Sequence, residues 1–153
     1  DGHKFRHEVI THPGAAVIIP LLEGEQFVLL KQYRAAVGKS IWEFPAGTLE
    51  RNEAPISCAK REIIEETGFE AKRWRKLASF YPAPGISTEF MQLFLASDLR
   101  PARMSLDRDE FIDRHIVSFK RLQKMVLSGI IADAKTIVGF FYYCQKVKRP
   151  KSA

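Results

Sequence analysis

The segment between Pro55 and Gly68 constrains this chain more than any other, because it must satisfy two environments at once. Proline is favoured at the first position of a helix and glycine just past the last. The spacing therefore predicts a helix over residues 55–67, stopped by Gly68. At 100° per residue, Ile56, Ala59 and Ile63 share one face, while Glu62, Glu65 and Glu66 lie on another. The first face needs a core. The second sets like charges at helical-neighbour spacing, which costs about 0.3 kcal/mol per pair in water and more in a cleft. Such a face is either solvated surface or a place for a cation. All-oxygen donors suit hard ions, Mg²⁺ or Mn²⁺, and Mg²⁺ binds through few carboxylates together with waters and substrate phosphate.

A sheet is expected beneath that helix. Residues 15–22 and 26–30 are apolar runs joined by Glu23-Gly24-Glu25, a buried hairpin. A short strand over 41–44 runs into Pro45-Ala46-Gly47, and further strands are expected at 77–81, 90–96 and 112–119. Helices over 120–127, ending at Ser128-Gly129, and over 134–147 close the chain. The alternation predicts an α/β domain, a mixed β-sheet sandwiched between α-helices. With 153 residues, 46% hydrophobic and 27% charged, one domain over 1–153 is expected.

Several function classes drop out. The apolar stretches 15–22 and 137–144 fall short of the ~20 residues that cross a bilayer, so a membrane is not an expected partner. Cys58 and Cys144 form no CxxC and have no histidine near in sequence, which argues against a disulfide framework or a zinc site and for a reducing, cytoplasmic setting. Cys58 reads as a small packing residue of the helix. Lys146, Lys148, Arg149 and Lys151 make 146–153 a basic tail; the net charge of +6 less these four leaves +2, so no nucleic-acid surface is expected on the folded body. Asp1-Gly2 is a dipeptide typical of a type I′ hairpin turn, and residues 7–10 read as a strand leaving it, so 1–12 is expected to be the remnant of an N-terminal sheet. His3, His7, His12 and His115 make no ligand spacing and receive no role. No glycine-rich phosphate loop of the Walker or dinucleotide type occurs.

Gly47, Glu53, Arg61-Glu62-Ile63, Glu65-Glu66 and Gly68-Phe69 fit the pattern G-x5-E-x7-R-E-U-x-E-E-x-G-U at every fixed position, U being a bulky apolar residue. In this the chain resembles the Nudix hydrolase family. Outside the box, Gln32-Tyr33-Arg34, Glu43-Phe44-Pro45-Ala46-Gly47, the stretch from Pro84 to Glu89 and that from Gly129 to Thr136 resemble its ADP-ribose pyrophosphatase and nucleoside diphosphate sugar hydrolase branch. A proline standing about fifteen residues past the box goes with ADP-ribose use there, and Pro84 occupies that place.

The resemblance implies the Nudix fold and metal-dependent hydrolysis of the pyrophosphate bond of ADP-ribose or a related nucleoside diphosphate sugar, giving a nucleoside monophosphate and a sugar phosphate. It leaves open a preference for another base or sugar and, from a different class, a non-catalytic nucleotide-sensing module. It implies Glu62 and Glu66 as metal ligands, Glu65 as a supporting ligand or water holder, the carbonyl of Ala46 as a further ligand, and Mg²⁺ or Mn²⁺ as the ion. Arg61 then orients the carboxylates, or makes an ordinary helix ion pair. Glu53 supports the ligands or is a plain charge near the positive end of the helix. Arg34, just past an apolar strand, is a clamp for a diphosphate or a surface charge. Tyr33 and Trp42 stack on a base or pack. Gly85, Ser87 and Glu89 form a loop that could touch the terminal ribose or sugar. The catalytic base is expected in the acidic segment 106–111, with Glu110 first and Asp107 and Asp109 behind it; Arg108 stands where the family often carries a second acid. A homodimer that builds part of the pocket across its interface is implied as well.

Overall fold

The structure is a computed structural model that describes residues 2–103 and 112–148. In chain order its strands and helices are β1 (Ala15–Leu22), β2 (Gln26–Arg34), β3 (Lys39–Glu43), β4 (Ala46–Thr48), α1 (Pro55–Thr67), β5 (Phe69–Phe80), β6 (Met91–Pro101), β7 (Ile112–Ser118), α2 (Phe119–Leu127) and α3 (Ala134–Tyr143). A 3-10 turn, Ala35–Val37, follows β2, and a π-helical turn, Cys144–Lys148, extends α3.

Strand β1 is apolar without alternation because both of its faces are buried. Ala15, Val17 and Ile19 enter one core with Phe27, Leu29 and Leu93, covered by Leu122 and Met125 of α2 and Phe140 and Tyr143 of α3. Ala16 and Ile18 enter the other with Phe94 and Ala96, covered by Cys58, Ala59 and Ile63 of α1. The apolar face of α1 is thus the expected one, with Ile56 partly buried beside it. Gly68 ends that helix at φ 66°, its N–H donating to the Ile64 carbonyl at 2.9 Å, a conformation a Cβ would strain. Helices on both faces of a mixed sheet make this the α/β sandwich the sequence predicts.

The sheet runs β3-β2-β1-β6-β5, with β4 added to β1 and β7 to β2. Strands β1 and β6 are parallel; the remaining pairs are antiparallel. Strands β1 and β2 share only Leu21 opposite Phe27 and Leu22 opposite Gln26, and then part. The edge of β1 freed by that parting is taken by β4, Ala15 opposite Thr48 to Val17 opposite Ala46, while β3 takes the far end of β2. Residues 44–47 therefore cross a gap in the sheet, and this split positions the site.

Several boundaries differ from expectation. Strand β2 continues through Arg34, and β5 starts at Phe69 rather than at 77. It is an edge strand whose charged Glu70, Lys72, Arg73 and Arg75 hide the period of two, and a bulge between Lys76 and Ala78 breaks it. Residues 7–10 do not form a strand. Ile10 alone makes a bridge, parallel to Ser87, its N–H donating to the Ile86 carbonyl at 2.8 Å. Among the described residues no helix is long and apolar enough to cross a membrane. The tail beyond Lys148 and the segment 104–111, with Glu110, Asp107 and Asp109, lie outside the described residues.

Candidate active site

Helix α1 turns its acidic face to the gap in the sheet. Glu66 is 2% exposed, and its carboxylate accepts from the Ala46 N–H at 3.0 Å. The carboxylate of Glu62 stands against Gly47 where a Cβ would be, so any side chain at the crossing would displace it. Arg61 gathers the rest. Its Nε and Nη2 each donate to Glu53 at 3.1 Å, and its Nη1 donates to Glu62 at 2.7 Å and to Glu65 at 2.9 Å. The paired Glu53 raises the pKa of the guanidinium above its ordinary value, and Arg61 in turn lowers that of Glu53. Glu53 also accepts from the Glu50 N–H at 3.0 Å, which ties the loop ahead of the helix to the same cation. Sequence spacing thus became a single cluster: one arginine distributes its charge over three carboxylates that would otherwise repel.

Across the gap lies a second charged chain. Arg34, at the end of β2, donates from Nε to Glu43 Oε1 at 2.9 Å and from Nη2 to Oε2 at 2.7 Å. Glu43 is 2% exposed and also accepts from Lys135 Nζ at 2.6 Å; Lys135 reaches on to Asp133 Oδ1 at 3.1 Å. Burial pushes the Glu43 carboxyl up, but Arg34 and Lys135 outweigh it and its pKa ends below the ordinary value. Asp133 caps α3, accepting from the Thr136 N–H at 3.0 Å and from its hydroxyl at 2.6 Å, and that hydroxyl accepts from the Phe44 N–H at 2.7 Å. The start of α3 is thereby fastened to the strand that leads into Pro45-Ala46-Gly47.

A cleft of about 440 Å³ opens along the second of these groups and the Ala46-Gly47 turn. Arg34, Glu43, Ala46, Gly47, Asp133 and Lys135 line it, with His12 and Glu89 on its wall. His12 Nδ1 accepts from the Gly14 N–H at 3.0 Å, and its Nε2 lies 3.8 Å from Glu89. Of the residues singled out from sequence, Arg34, Ala46 and Glu89 line the cleft, and Glu62 and Glu66 stand directly behind the Ala46-Gly47 wall. Tyr33 is about half exposed, and Trp42 packs edge-on to His115 with ring centroids 4.7 Å apart; neither lines the cleft. Ser87 is engaged by Ile10, and its hydroxyl accepts from the Glu89 N–H at 3.1 Å, while Gly85 faces open space. Glu43, Asp133, Lys135 and His12 received no role from sequence. The first three sit within stretches that carried the resemblance, but their pairing spans 92 positions and leaves no local periodicity.

The residues around Gly47 fit a divalent cation of the hard kind. Carboxylates and a main-chain carbonyl provide only oxygen donors, and the side-chain-free position 47 lets Glu62 reach the Ala46 turn. Among the described residues no group of three or more His, Cys, Asp or Glu is placed so as to hold a metal ion by itself.

Known proteins share this framework. The NUDIX domain matches residues 11–137. An ADP-ribose pyrophosphatase of Bacillus subtilis (strain 168) is 35% identical over 144 residues, 93% of this chain and 78% of the relative. A GDP-mannose pyrophosphatase of Enterobacter sp. (strain 638) is 33% identical over 151 residues, covering 90% and 78% respectively. A solved structure described as an ADP compounds hydrolase superposes with a TM-score of 0.80 at 21% identity, over 88% of this chain and 72% of that one, which establishes the shared fold.

Proposed function

We propose, from the premise that this chain belongs to the NUDIX domain family, that it hydrolyses the pyrophosphate bond of ADP-ribose or a related nucleoside diphosphate sugar. Water adds across the P–O–P bridge, and a nucleoside monophosphate and a sugar phosphate leave. The observation that carries the reading is the cleft itself: Arg34, a cation suited to phosphate, lines it together with Ala46 and Gly47, the turn that Glu62 and Glu66 contact. The names of the two relatives support the substrate class.

The chain's own residues divide the work. Glu62 and Glu66, with Glu65 and the Ala46 carbonyl in support, would hold Mg²⁺ or Mn²⁺, which when bound offsets phosphate charge and lowers the pKa of a water. Arg61 keeps Glu53, Glu62 and Glu65 oriented by charge-assisted hydrogen bonds. Glu43 takes two of the five N–H groups of Arg34 and leaves the others for a diphosphate. Glu110 accepts the proton of the attacking water, with Asp107 and Asp109 as the alternatives. Glu89, and the loop that carries Gly85 and Ser87, faces the sugar, while Tyr33 and Trp42 serve a base held beyond the cleft. We assign the protein to the cytoplasm, on its two unpaired cysteines, and to a homodimer, on its exposed Val9, Ile10, Tyr81 and Ile86.

A panel of nucleotide sugars and dinucleotides with Mg²⁺, Mn²⁺ or EDTA, scored by product mass, tests the reading. AMP and ribose 5-phosphate from ADP-ribose, lost in EDTA, is the expected result. Preferential cleavage of GDP-mannose would move the substrate to another base and sugar, as the second relative suggests. Binding without turnover of any member would make the domain a nucleotide sensor.

A further inference from the structure

We infer that Lys135 is a positioning residue for the phosphate clamp: from behind, it neutralises Glu43, so that Glu43 fixes the Arg34 guanidinium without cancelling its charge toward a bound diphosphate. The inference rests on the reading of this cleft as a diphosphate site. Glu43 grips Arg34 through both carboxylate oxygens and is itself 2% exposed, so on its own it would leave the arginine held but electrically silent. Lys135, 7% exposed, shares the Oε2 atom that Arg34 Nη2 uses, at 2.6 Å against 2.7 Å. Lysine is rarely buried to this degree unless paired, and the pairing here runs Arg34, Glu43, Lys135, Asp133 in alternating sign. Two cations balance two carboxylates, with Arg34, whose side chain is 41% exposed, as the solvent-facing end.

Without the Lys135 charge the chain of Arg34, Glu43 and Asp133 carries one uncompensated carboxylate, next to Glu66, whose field already reaches Arg34. A diphosphate would then meet a net negative surface in a low-dielectric cleft. Without the Asp133 charge the same four-residue chain carries one net positive charge. A lysine that merely fastened α3 to the sheet would predict loss in both cases; a lysine that sets the charge of the clamp predicts opposite signs.

The experiment measures kcat and KM on the substrate the panel identifies. Lys135→Met, which conserves volume and leaves Glu43 bonded to Arg34, should raise KM about tenfold while kcat changes little, and Lys135→Arg should restore most of the loss. Asp133→Asn, which keeps an oxygen for the Thr136 cap, should lower KM about threefold. Arg34→Gln should raise KM by itself and make Lys135→Met nearly silent when the two are combined, since residues of one network are not additive. An unchanged KM in Lys135→Met, a full effect of Lys135→Met on top of Arg34→Gln, or a higher KM in Asp133→Asn would each overturn the inference. Should Lys135→Met fail to fold, the sign of the Asp133→Asn change still decides. A KM unmoved by Arg34→Gln would instead overturn the diphosphate site, and the inference with it.

Discussion

Residue 47 carries no side chain because the Glu62 carboxylate already occupies that volume. Gly47→Ala must move either the carboxylate or the turn, and Glu62 is held on its other side by Arg61 at 2.7 Å. Turnover should fall about 100-fold, the size of effect seen when ligand-orienting contacts are lost, and the melting temperature should drop in the same samples. Glu66→Gln separates charge from shape. The amide oxygen can still accept from the Ala46 N–H, so the melt should stay within a few degrees of the parent while kcat falls by about two orders of magnitude or more. A near-normal kcat at saturating Mg²⁺ would remove Glu66 from the metal site. Cys58 makes no chemistry of its own: burial pushes its thiol up to about 12, so it stays neutral and packs beneath Ala16 and Ile18.

One hydroxyl ties the start of helix α3 to the sheet. Thr136 donates to Asp133 within the cap and accepts from the Phe44 N–H across the sheet, joining the helix start to the strand before the glycine turn. Thr136→Val keeps the shape and strands a buried N–H, which should cost about 1–3 kcal/mol, whereas Thr136→Ser should recover most of it; chemical denaturation of both measures the difference. That bond also marks where sequence reading stops. The bounds of α1 were legible because proline, glycine and a two-faced period all agree there. Strand β5 was not, since a charged edge strand imposes no apolar alternation and its bulge shifts the period. The carboxylates of α1 and Gly47 were legible as a spaced pattern. The partnership of Glu43 with Lys135 was not, because hydrogen bonds between residues 92 apart follow from topology and no local rule encodes them.

At the scale of the molecule the buried charges set a pH window. The folded-state pKa of Glu43 lies below the ordinary 4.5, so its stabilising contribution is complete above that value and is lost as pH falls through the lowered one. Glu53 acts in the same direction through Arg61. Melting temperatures taken from pH 7 to pH 3 should be level down to about pH 5 and then decline, and a profile that rises on acidification would contradict the assignment of both pairs. The parallel register of β1 against β6 has a different consequence, in time rather than in stability. Ala15 finds its partner at Met91 and Leu21 at Ser97, so the middle of the sheet cannot close until most of the chain has collapsed. The short β1–β2 contact gives little local help, with two residue pairs before the strands part. Refolding should therefore be slow for a chain of this size, on the order of milliseconds to seconds, and limited by closure of that long loop. A break in the turn between β5 and β6 would leave two fragments, neither of which can assemble the central pair alone, so that recovery of the native state becomes second order in protein concentration.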